Sequence, residues 1–426
     1  MKLMILPVLT ALVGGLLTDP AAADLAKVAH PIVSVEPGGD LSDLAILGRQ
    51  VGSAQVVGIG EATHSSHEFF TFKHRAFQAL VEQKGFTTFA LEAAWSTGLA
   101  LDRYVVTGAG DPREIMRREF QDSYRFWNTQ EYLDLIEWMR SYNQTHARKV
   151  RFMGDDLGYV GPEVPDRVVE FVRKARPRLA ATVSRLYGGI RSTAEAKEWT
   201  EQYLAKSLTA RRQLEVDARK ALQLVSSVPG GREQRWAVQH ARTVWQVAKI
   251  YSFDLDDPEL APKSMLFRDQ VMADNVAWWV RETGSKTVLS AHNGHIATQA
   301  YEPDNYPKVQ GQFLREQFGR GYVALGTTFT EGSFNAHDPR DPARPLRVVT
   351  LGPPPTGSNE ETLAAVPGNY LVDLRTLPPA AARWIRPDRL TREYGTDYPV
   401  EPVSLSLKKS FDILVHLRQI TAANLL

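Results

Sequence analysis

From residue 50 onward the chain alternates short apolar runs with longer segments whose apolar residues recur every three or four positions. The short runs predict strands at 55–60, 86–92, 149–155, 286–292 and 322–329, with later ones at 346–351, 370–374 and 411–417. Between the first two, Phe69, Phe72, Phe77 and Leu80 fall at roughly helical spacing, as do Leu133, Ile136, Trp138 and Met139 before the third. Strands interleaved with helices in this way imply an α/β fold, a central and predominantly parallel sheet flanked by helices.

Residues 161–251 break the rhythm. They carry no strand signal and are rich in Arg, Lys, Glu and Ala, while Trp236, His240, Val244, Val247 and Tyr251 line one face of a helix. The segment is expected to be a helical insertion packed over the sheet, a lid or a buttress, with turns at Gly188-Gly189 and Pro229-Gly230-Gly231. The α/β core would then comprise 24–160 and 252–426. The first 23 residues form a third unit: Lys2, an apolar run from Met4 to Leu17, and Ala21-Ala22-Ala23 have the form of a secretory leader cut after Ala23. That expectation places the mature protein in the periplasm or outside the cell.

Composition narrows the field. The chain of 426 residues is 43% hydrophobic and 23% charged, the balance of a folded protein. Fifty basic against 49 acidic residues leave a net charge of +1, which gives no pull towards nucleic acid or an anionic membrane. No cysteine is present, so disulfides and thiol catalysis are excluded.

The candidate chemistry sits at the strand ends. The first predicted strand runs into Glu61 and His64, the second stops at Glu92, the third at Asp155 and Asp156, and the fourth at His292 with His295 close behind. In a parallel α/β sheet these positions share the carboxyl edge, where the binding crevice forms. A histidine titrating near neutrality can take a proton from water, and a carboxylate on its other nitrogen fixes the tautomer. Arg268 and Lys73 are the candidates to face a developing oxyanion. No Gly-x-Ser-x-Gly elbow, HExxH zinc signature, Walker loop or dinucleotide fingerprint occurs. Two His-x-x-His pairs, His64/His67 and His292/His295, leave open a divalent metal held with the glutamates. Trp95 and Trp127 lie nearer the proposed crevice, whereas Trp138, Trp278, Trp279 and His240 are expected in packing faces.

At this point the blocks GIGEATHSSHEFFTFKHRAFQAL, FALEAAW, FWNTQEYLDLIEWMRSYN, RFMGDD, FRDQVMADNVAWW and AHNGHIAT, in that order, resemble the erythromycin esterase family. The resemblance runs from about Pro31 to the C-terminus. It implies a hydrolase that opens the lactone ester of macrolides without a covalent acyl-enzyme and without a required cofactor or metal. Residue by residue it implies His64 as the base, Glu61 and Glu92 in support, His292 assisting, and Arg268 supplying charge. From their places near the proposed crevice rather than from the resemblance, Lys73, His67, His295, Trp95, Trp127 and Asp155 are expected to contact the substrate, with a cap on the next helix as the other reading of Asp155. The sequence departs from the pattern at Ser65, where glycine is usual, at His67, and at Lys73, where arginine is usual. The partner expected is a small ester or lactone. The alternatives are a metal-dependent hydrolase on the same scaffold and a non-catalytic binder of a small ligand.

Overall fold

A computed structural model describes residues 19–426. Most of the proposed leader lies outside these residues. The Ala23–Asp24 bond falls inside a helix, Pro20–Val28, whose Ala21, Ala22 and Leu25 are buried and whose Asp24 carboxylate accepts from the Ala380 amide at 2.8 Å.

Eleven strands are found among the described residues: β1 His30–Pro31, β2 Val56–Ile59, β3 Thr88–Ala94, β4 Arg151–Asp156, β5 Thr287–Ser290, β6 Tyr322–His337, β7 Leu346–Leu351, β8 Tyr370–Asp373, β9 Arg389–Thr391, β10 Val403–Leu405 and β11 Ile413–Ile420. Nine form one sheet in the order β1-β8-β11-β6-β2-β5-β3-β4, with β7 added against β6. From β11 to β4 all neighbours are parallel, and β1, β7 and β8 pair antiparallel. The expected α/β sheet is therefore present, with every strand predicted from an apolar run in place. β2, β3 and β5 are buried along their whole length, because helices cover both faces of a parallel sheet.

The strand predicted at 322–329 extends to His337. Gly332, at φ 130, lets β6 swing from β11 to β7, and a Cβ there would come within 1.9 Å of the Ile420 carbonyl. The expected insertion is helical. Its helices, Glu163–Ala175, Pro177–Leu186, Ala196–Leu204, Leu208–Ser226 and Gly231–Ile250, pack on one another. Gly231–Ile250 rests on the helix Ala261–Thr283, which itself packs on β4. Tyr251, just past the last of them, hydrogen-bonds the Gly158 carbonyl at 2.7 Å.

The loops at the carboxyl edge are joined through one close approach. Gly60 follows β2, and a Cβ on it would lie 2.0 Å from Asn293 Oδ1. Into that space Asn293 inserts its amide, donating to the Thr327 carbonyl at 2.8 Å and accepting from the Thr327 amide at 3.1 Å, while its own backbone amide donates to the Glu61 carbonyl at 2.9 Å. The loops after β2 and β5 are thereby fixed against β6. Gly60→Ala is expected to expel Asn293 and cost about 1–3 kcal/mol, the usual price of overpacking. Urea unfolding would show a lowered midpoint, and a midpoint equal to that of the native chain would refute the role given to Asn293.

Candidate active site

β2 delivers Glu61 and His64 from a loop rather than from a helix, because the next helix starts only at His67, with Ser66 as its N-cap. His64 Nδ1 lies 2.8 Å from Glu61 Oε1. The second Glu61 oxygen accepts from Lys73, which also donates to Ser290 Oγ at 2.9 Å, and Tyr132 closes the network on Ser290 at 3.0 Å. Glu61 and Lys73 are fully buried, and burial draws the Lys73 pKa below the ordinary lysine value against the pull of Glu61.

β3 delivers Glu92 by a local irregularity. Pairing with β4 shifts between Leu91 and Ala94, so that Glu92 and Ala93 oppose Asp155 alone. Glu92 Oε2 accepts from the His292 amide at 3.0 Å, and Oε1 accepts from Arg268 Nη2 at 2.8 Å. Arg268 grips Asp156 with Nε, at 3.1 and 3.2 Å, and with Nη2, at 2.6 Å. His295 Nδ1 donates to Asp269 at 2.7 Å, and its Nε2 stands 3.1 Å from Arg268 Nη1 and 3.3 Å from Glu92.

Burial opposes the charged form of both Glu92 and His295, yet opposite charges outweigh it in each. His295, His64 and Arg268 hold the Glu92 carboxyl well below its usual range, and Asp269 and Glu92 hold His295 well above its own. His295 Nε2 faces both groups, so it accepts from Arg268 when the ring is neutral and donates to Glu92 when the ring is protonated. His292 behaves in the opposite way: burial, aided by His64, pushes its pKa well down and keeps the ring neutral. The Gly294 amide donates to His292 Nδ1 at 3.1 Å, so the ring hydrogen resides on Nε2.

These groups surround a cavity of about 570 Å³ lined by His64, Glu92, Asp156, Arg268, His292 and His295, together with Trp127, Tyr124, Tyr251 and Tyr301. The His64 and His292 ring centroids are 5.1 Å apart, and Trp127 meets His64 edge-on at 5.3 Å. Glu393, which reading of the sequence passed over, also lines it. Its Oε1 accepts from Asn293 Nδ2 at 2.8 Å.

Of the residues expected to meet the substrate, Trp127 and His295 reach the cavity and four do not. His67 points away, 2.7 Å from Glu131 and 3.0 Å from Glu36. Trp95 is buried in a cluster with His240, Trp278 and Trp279, because the helix Trp95–Thr107 starts at this residue and turns it into the helical layer. Lys73 lies beneath Glu61, screened from the cavity. Asp155 faces the opposite side of β4 from Asp156 and binds Gln310 Nε2 at 2.6 Å, with burial pushing its pKa well above the usual value. The metal reading needed both His-x-x-His pairs together. His67 is removed from the other three, and among the described residues no cluster of three His, Asp or Glu is arranged to hold a metal ion.

The family model described as erythromycin esterase matches residues 81–420, well over half of the chain. The chain belongs to the erythromycin esterase family. The match takes in Glu92, Arg268, His292, His295 and Glu393 and begins past His64. Two curated Escherichia coli relatives agree: erythromycin esterase type II is 25% identical over 80% of this chain and 86% of its own, and type I is 23% identical over 78% and 83%. A Bacillus cereus protein of known structure superposes with a TM-score of 0.84 at 29% identity, covering 95% of this chain and 98% of that one. A structure described as a succinoglycan biosynthesis protein gives 0.82 at 30% identity, with the same coverage. A mutant of erythromycin esterase EreC in its open conformation gives 0.73 at 19% identity over 92% and 97%, a likeness of fold. Membership of this family suggests ester hydrolysis and a small-molecule substrate.

The His67 contacts predict a pH signature away from the cavity. Glu131, against the opposing effect of burial and with the help of Glu36, raises the His67 pKa from 6.5 to about 9. A group whose pKa is raised by folding stabilises the fold fully below its unfolded value and loses that contribution as pH rises through the folded value. His67→Gln should therefore be less stable than the native chain below pH 6.5, with the gap closing towards about pH 9. Urea unfolding across this range checks it, and a gap independent of pH would contradict it.

Proposed function

We propose that the protein hydrolyses a carboxylic ester or lactone by direct attack of a water molecule that His64 activates, with no acyl-enzyme. The observation that carries this reading is the buried relay from Lys73 through Glu61 to His64, which ends at the cavity. Among the described residues no serine or threonine hydroxyl is hydrogen-bonded to the His64 ring, and the chain has no cysteine, which supports water as the source of the proton that His64 takes.

The roles follow from the geometry. An ionised Glu61 accepts only, so His64 Nδ1 carries hydrogen and Nε2 is free to receive a proton. Glu61 stabilises the imidazolium that forms, and Lys73 keeps Glu61 in place. Charge growing on the substrate carbonyl oxygen meets the Nε2–H of His292, a buried donor with no partner in the protein. Arg268 supplies positive potential, and His295 adds to it when protonated; both are held by Glu92. Ile250, Leu255, Met265, Val400 and Val403 also line the cavity and offer apolar surface to the non-reacting part of the substrate. Leu255 and Val400 are exposed at 46% and 38%. The relatives named erythromycin esterases make a macrolide lactone the first substrate to try, and resistance to such an antibiotic the first role.

His64→Ala is expected to lower kcat/KM by about a hundredfold to ten-thousandfold, the usual contribution of a general base, in a chain that is still folded under assay conditions. Mass spectrometry of macrolides, other lactones and simple esters would show a gain of one water with the native chain and none with the variant. Equal turnover by both would overturn the assignment. Turnover is also expected to survive a chelator, and a loss restored by added metal would return the metal-dependent reading. The apolar start supports export, and intact mass of the secreted protein beginning at Asp24 would establish it. The docking of Pro20–Val28 weighs on the other side.

A further inference from the structure

The cavity wall beside His292 holds three buried polar atoms that find no hydrogen-bond partner: His292 Nε2, Glu393 Oε2 and the Tyr301 hydroxyl. Leaving such atoms unmade costs about 1–3 kcal/mol each unless a ligand or water meets them. Glu393 Oε2 stands 3.4 Å from His292 Nε2, too far for a good bond, so both are left facing the cavity.

We propose that Glu393 is the proton donor to the leaving alkoxide, the acid that complements the base His64. The proposal rests on the ester-hydrolase reading above. Acid and base are held in register by backbone pairing: the Tyr394 amide donates to the Ala62 carbonyl at 2.9 Å, and the His64 amide donates to the Gly395 carbonyl at 3.1 Å. His292 stands between them, 5.1 Å from His64 by ring centroid and 3.4 Å from Glu393.

The surroundings keep Glu393 protonated. Its neighbour Arg392 turns away, spending its guanidinium on the carbonyls of Thr330, Gly352 and Pro353. Glu360 and Glu302 are the charged groups that face it, and both oppose a further negative charge. Burial above all pushes its pKa well up, and the contacts with Asn293 and Tyr301, which favour the carboxylate, do not reverse this. A carboxyl kept neutral has a proton to give.

In the step, the water oxygen bonds to the carbonyl carbon and its proton passes to His64 Nε2. The bond from that carbon to the alcohol oxygen breaks, its electron pair stays on the oxygen, and the oxygen takes the Glu393 proton. On product release His64 gives up a proton and Glu393 regains one, so the net change is addition of one water.

The structural alternative is that Glu393 only anchors Asn293, and a glutamine would do that equally well. Glu393→Gln should therefore be compared with the native chain on two esters of one acyl group, an alkyl ester and a nitrophenyl ester. The nitrophenolate departs without protonation, whereas an alkoxide needs it. The variant is expected to lose about a hundredfold more on the alkyl ester than on the nitrophenyl ester, in line with general-acid contributions. Because both rates come from one preparation, their ratio does not depend on how much of it is folded. An equal loss on both esters, or no loss on either, would overturn the proposal. If the native chain cleaves neither ester nor any lactone, the hydrolase reading itself fails and takes this one with it.

Discussion

The side chain of Asn293, seated where Gly60 leaves room for it, is the contact on which the cavity depends. It bonds both backbone groups of Thr327 on β6, its own amide holds the Glu61 carbonyl after β2, and its Nδ2 holds Glu393. Three loops from distant parts of the chain are thus referred to one amide. Glu61 and His64 follow the first, His292 precedes Asn293 on the second, and Glu393 sits on the third. A parallel sheet brings such loops to a common edge, but the edge alone leaves them free to move. The Asn293 bonds convert proximity into fixed geometry, which is what preorganised catalysis requires.

The second constraint is electrostatic. Glu61, Glu92, Asp156 and Asp269 are carboxylates in a buried site, and isolated charges there would cost far more than folding can supply. Each is matched: Lys73 against Glu61, Arg268 against Glu92 and Asp156, His295 against Asp269 and Glu92. The pairing leaves His64 and His292, whose Nε2 atoms are not spent on structure. Removing one member of a matched buried pair is expected to damage the fold as well as the chemistry, which makes Arg268 and Glu92 poor first targets.

Much of this was legible in the sequence, and the failures have physical causes. Apolar runs ending in Glu61, Glu92, Asp156 and His292 placed the strands and their shared edge, since in a parallel sheet the polar residue after a buried run lies at the mouth. The His64/His67 spacing misled because it assumes one continuous helix; His64 belongs to the loop, and the turn at Ser66 sends His67 to Glu131. Trp95 misled because nearness to Glu92 along the chain does not survive the change from strand to helix at that residue. Glu393 was invisible for the opposite reason. It follows β9, a strand of three residues outside the main sheet, in a polar stretch with no apolar run to announce it. Its only local sign was Gly395, which pairs with the His64 loop through its carbonyl, a contact that no periodicity encodes. Gly60 and Asn293 were both in view as parts of motifs, but their partnership needed three dimensions.

The claim at the centre of this account is that water attacks the ester directly and that no part of the chain is acylated. Rapid-quench intact mass spectrometry during turnover in oxygen-18 water tests it most directly. The account predicts one labelled oxygen in the acid product, no burst of alcohol, and an enzyme whose mass never changes. An enzyme species heavier by the acyl group, accumulating at the rate of an alcohol burst, would contradict it and require a nucleophile that the cavity does not present to His64.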